Sequence, residues 1–118
     1  MRYMIKEHIG ENAITMDDGE IVYQFLYSEL IKNQYTELDF EGVEIVASPF
    51  LNVAIGKLMR DFTPDQLNTY LKFKNVSPIT VPILRRVIET SREYYTDELH
   101  RLAVDSVLEE EARRDNDF

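Results

Sequence analysis

The stretch from residue 36 to residue 62 constrains the fold most, because its hydrophobic spacing changes midway. Apolar residues up to residue 46 recur with the two-residue period of a strand. Ser48-Pro49 then predicts a helix start, since serine caps helices and proline fits the first helical position. The apolar residues after it recur at helical spacing: Leu51, Ile55, Leu58 and Phe62. A strand that feeds a helix is typical of an α/β domain.

The segment before this unit predicts a hairpin and a helix. Tyr3, Ile5 and Ile9 have strand-like spacing, turn residues occupy 10–12, and residues 13–16 can return as a second strand. Asp17 and Glu20 have the spacing of a capping box, which predicts a helix to about residue 32.

The segment after it predicts a short helix, a strand and a long helix. Thr63 and Gln66 form a second capping-box pattern, and residues 71–75 alternate as a strand whose lysines face water. Helical spacing from residue 83 onward predicts one long helix, or two helices with a bend near Thr96. Three residues are alternatives for its cap: Ser77, Thr80 and Val81.

Composition limits the function classes. A chain of 118 residues with net charge −9 holds one domain, and both halves are acidic, so a nucleic-acid phosphate backbone would be repelled. The absence of cysteine excludes disulfides and thiolate chemistry and favours the cytoplasm. No apolar run has the length of a membrane span or of a signal peptide, so we expect no membrane association.

The sequence lacks the usual patterns of a catalytic or cofactor site. His8 and His100 have no metal-ligand spacing, and the four glycines form no phosphate-binding loop. Asp39, Glu41 and Glu44 could support acid–base chemistry, although a solvated acidic edge also explains them. We therefore predict that the protein is not an enzyme and uses no metal or cofactor.

The segment LDFEGVEIVASPFLNVAIGKL, residues 38–58, resembles the signature of STAS-type domains. It is most similar to the STAS-like branch known mainly as a bacterial domain of unknown function. The resemblance covers about residues 3–95 and implies a single mixed sheet of four or five strands, with an N-terminal hairpin and then mostly parallel strands, packed by helices. We accordingly divide the chain into a STAS-like domain, residues 1–96, and an acidic helical C-terminal extension, residues 97–118.

The resemblance also implies a function. Related STAS domains are non-enzymatic and bind protein partners, and anti-sigma antagonists are phosphorylated in an Asp-Ser-Ser/Thr-Gly-Leu motif. Here Ala47, Pro49 and Phe50 replace the Asp, the phosphoacceptor and the Gly, whereas Ser48 and Leu51 are retained. We therefore expect Ser48 to cap the helix and not to serve as a phosphorylation switch.

These observations predict a regulatory protein-interaction module that docks an unidentified protein partner. The predicted docking surface comprises one strand-end residue and five residues of the helix start: Asp39, Ser48, Pro49, Phe50, Leu51 and Asn52. Phe50 is either an exposed docking anchor or a residue that staples the helix to the core. The alternative function is a small-molecule, nucleotide or anion sensor that uses the same helix N-terminus.

The C-terminal extension carries its own prediction. It has an apolar stripe that must be buried: Leu99, Leu102, Ala103 and Val107. Its other residues are mostly acidic, which opposes pairing of two tails. We expect it to pack on its own domain near Arg85, Arg86 and Arg92, which favours a monomer, with homodimerisation through this helix as the alternative.

Overall fold

The computed structural model describes the backbone of residues 1–103 and the side chains of residues 1–95. Five strands alternate with five α-helices and one 3-10 helix in this part of the chain, which agrees with the α/β class. In chain order the elements are β1 (Arg2–Met4), α1 (Ile5–Ile9), β2 (Asn12–Ala13), α2 (Met16–Ile31), β3 (Thr36–Asp39), β4 (Ile45–Val46), α3 (Ser48–Ala54), the 3-10 helix (Gly56–Arg60), α4 (Pro64–Tyr70), β5 (Leu71–Lys74) and α5 (Thr80–Ala103).

The strands form two small parallel sheets. The larger has the order β1-β3-β5, with Tyr3 beside Leu38 and Leu38 beside Phe73. The smaller pairs β2 with β4, with Ala13 beside Val46. Strand β2 leads into α2, and strand β4 leads into α3. The parallel pairing of the two strands therefore brings the starts of α2 and α3 together.

The predicted N-terminal hairpin is wrong, and so is the single mixed sheet. Residues 5–9 are helical, β1 pairs with β3, and β2 pairs with β4. Ile5 and Ile9 are four residues apart, a spacing that fits one helical turn as well as a strand. In the structure Ile5 is fully buried and Ile9 is partly buried against the core, so the helical alternative satisfies both.

The core lies between the helices and one face of the larger sheet. The four apolar residues that follow the predicted helix start are all buried, although α3 ends at Ala54 and a 3-10 helix continues the chain: Leu51, Ile55, Leu58 and Phe62. Helices α2 and α3 approach closely at Gly19, where an added Cβ would lie 2.6 Å from the carbonyl oxygen of Phe50.

Three helix starts test the capping predictions. Thr15, not Asp17, caps α2, since its Oγ1 accepts the N–H of Asp18 at 3.1 Å. The capping box of Thr63 and Gln66 is confirmed at α4. At α5, Ser77 Oγ accepts the N–H of Thr80 at 3.2 Å, which identifies Ser77 among the three alternatives.

Helix α5 runs from Thr80 to Ala103 without the break considered near Thr96. One side of this helix is buried through the side chains of Leu84, Val87 and Ile88. The stripe predicted for the C-terminal extension, and its packing near the arginines of α5, lie outside the described side chains. Within the described residues, no helix has the length and apolar character needed to cross a membrane.

We expect Gly19→Ala to lower the free energy of unfolding by about 1–3 kcal/mol, because the added methyl group overpacks against the α3 backbone. Helix propensity alone predicts the opposite sign, by about 1 kcal/mol. Urea unfolding measures the difference. Gly56→Ala is the matched control. The methyl group added there would meet the Ser91 hydroxyl, a side-chain group that can rotate away or be removed with the Ser91→Ala substitution. A more stable Gly19→Ala variant would contradict the close contact.

Candidate functional site

Asp39 is a buried carboxylate at the carboxyl end of the central strand β3. Its Oδ1 accepts the backbone N–H of Glu41 at 2.8 Å and the side-chain amide of Asn75 at 3.0 Å. Its Oδ2 accepts Arg2 Nε at 2.6 Å. Because β3 alternates, Asp39 points away from the sheet face on which Leu38 is buried. The carboxylate therefore ties β1 and the segment after β5 to the end of β3.

The electrostatics of Asp39 suit this structural role. Burial by itself would raise the pKa of the Asp39 carboxyl, but hydrogen bonds from Asn75, from the Glu41 N–H and from Arg2, together with the Arg2 charge, hold that pKa below its ordinary value. An acid–base catalyst at neutral pH usually needs a raised carboxyl pKa. Glu41 and Glu44 are exposed, in keeping with a solvated acidic edge. Among the described residues, no cluster of three metal-ligating side chains occurs.

Ser48 is the first residue of α3 and not its cap. The N-cap position belongs to Ala47, whose carbonyl accepts the N–H of Leu51 at 3.2 Å, and in the described structure no side chain caps this helix. The Ala47 N–H donates to the Ala13 carbonyl at 2.9 Å. This strand-like bond extends the β2–β4 pairing up to Ala47 and shifts the helix start by one residue. The prediction that Ser48 caps α3 is therefore wrong.

The predicted docking residues separate into buried and exposed groups. Phe50 and Leu51 are fully buried, so Phe50 staples α3 to the core and the hypothesis of an exposed anchor is wrong. Ser48, Pro49 and Asn52 are exposed. The side-chain partners of Asp39 come from other segments, so the structure does not join it to this turn through a side-chain bond.

Three exposed apolar residues lie beside the start of α3 and were missed by the sequence prediction. Ala13 is buried and pairs in register with the partly buried Val46. Ile45, which precedes Val46 on β4, and Ile14, which directly follows β2, are 52% and 39% exposed. Met16 follows at the start of α2 and is 62% exposed. We call the set Ile14, Met16, Ile45, Ser48 and Pro49 the helix-start surface.

The sequence contained only a weak signal for this surface. Residues 13–16 and 43–46 read as ordinary apolar strand residues, and which of them face outward depends on the pairing of β2 with β4. That pairing joins residues more than 30 positions apart. Exposed large apolar residues that lie together commonly mark interaction sites.

Comparison with known proteins provides one match. A family described as a STAS-like domain of unknown function (DUF4325) matches residues 18–80, which is more than half of the chain and includes most of α2 and all of β3, β4, α3, the 3-10 helix, α4 and β5. No curated protein and no solved structure matches the chain. The matched range contains α2 from Asp18 onward, and it contains the whole start of α3.

We expect Ser48→Ala to leave stability nearly unchanged, because the Ser48 side chain does not cap α3. Thr63→Ala is the matched comparison and should lose about 1 kcal/mol, since Thr63 Oγ1 accepts the N–H of Gln66 at 3.1 Å. Urea unfolding of both variants measures the contrast. A loss at Ser48 equal to that at Thr63 would restore Ser48 as a cap.

We expect Asp39→Asn to destabilise the protein by about 1–3 kcal/mol at pH 7, because it removes the charge that Arg2 and the amide donors stabilise. Since folding lowers the pKa of Asp39, its contribution is complete above the unfolded pKa of about 4 and is lost as pH falls through the folded value. The stability gap between wild type and variant should therefore narrow in acid.

Urea unfolding across a pH series measures this gap. Glu41→Gln is the control, because Glu41 is an exposed partner of the same arginine at 3.4 Å and should contribute little. A gap that stays constant to the lowest pH would show that the carboxylate charge is not what stabilises the fold.

Proposed function

The chain belongs to the family of STAS-like domains of unknown function, and we propose that it is a non-enzymatic regulatory module that docks a protein partner in the cytoplasm. Docking uses the helix-start surface, which retains Ser48 and Pro49 from the sequence prediction and replaces Phe50 by neighbouring apolar residues. The observation that carries the proposal is the exposure of Ile14, Met16 and Ile45 beside the start of α3.

Apolar side chains at a protein surface favour association when a partner buries them. The apolar side chains of Ile14, Met16 and Ile45 leave about two fifths or more of their surface in water, whereas burying that surface against another protein stabilises the complex. Two backbones hold them rigidly, because Ala47 is hydrogen-bonded to Ala13 and α2 packs on α3 at Gly19. A preorganised surface loses less conformational entropy on binding.

The sensor alternative has less support. Helix α3 is seven residues long, and Pro49 removes one of the N–H groups that would face an anion. Thermal-shift measurements with nucleotides and inorganic phosphate test it directly, since a ligand at 100 times its dissociation constant adds about 2.7 kcal/mol of stability.

Affinity capture with the full chain tests the docking proposal. We expect Met16→Ser to reduce capture of the partner about tenfold, as for a residue at the centre of an interface. Ile31→Ser is a matched control, since Ile31 is also 62% exposed but lies at the other end of α2. Fifteen residues of helix place the two about 22 Å apart.

Circular dichroism confirms that each variant is folded. Equal capture of the partner by wild type, Met16→Ser and Ile45→Ser would show that the docking surface lies elsewhere. A nucleotide-induced thermal shift without any captured partner would favour the sensor.

A further inference from the structure

We draw no further inference here: the strongest candidate, the face of the larger sheet that carries Arg2, Lys72 and Lys74 on its outer strands, has two of these cations paired with acids of the central strand, and nothing in the described part of the chain shows what covers it.

Discussion

The close contact between α2 and α3 at Gly19 is the constraint on which the rest of the structure depends. A Cβ at this position would lie 2.6 Å from a backbone oxygen of Phe50, so only glycine permits the observed separation. The contact accompanies complete burial of Phe50 and Leu51, and it holds the starts of the two helices side by side. The strands that lead into these helices are also paired, and the Ala47 N–H donates to the Ala13 carbonyl just beyond that pairing. The exposed apolar surface is a consequence of this arrangement.

The opposite face of the larger sheet follows a different rule. Parallel sheets are usually covered on both faces, yet β1, β3 and β5 direct charged residues away from the core: Arg2, Glu37, Asp39, Lys72 and Lys74. Cations on the outer strands flank acids on the central strand, with Arg2 on Asp39 at 2.6 Å and Lys74 near Glu37 at 3.9 Å. Ion pairs therefore link the three strands across this face. Lysines on an edge strand also discourage pairing with another chain.

The two polar features of the molecule thus differ in character. The carboxylate of Asp39 is buried and satisfied by donors from three segments, which makes it an organiser of the strand ends. Glu44 and Asp17 are exposed and form no ion pair within the described part of the chain. The first arrangement stabilises the fold, whereas the second leaves its charges in water.

The sequence by itself determined the features that depend on local spacing. These include the central strand, the capping box of Thr63 and Gln66, and the burial of Leu51, Ile55, Leu58 and Phe62. Only the tertiary structure decided that residues 5–9 are helical, that Ser48 lies inside α3 and that Phe50 is buried while Ile45 is exposed. The exposure of Ile45 depends on pairing between distant strands, because a one-residue change in that pairing exchanges the inward and outward faces of a strand. Local patterns specify which residues are apolar, whereas long-range hydrogen bonds such as Ala47 to Ala13 select which of them reach the surface.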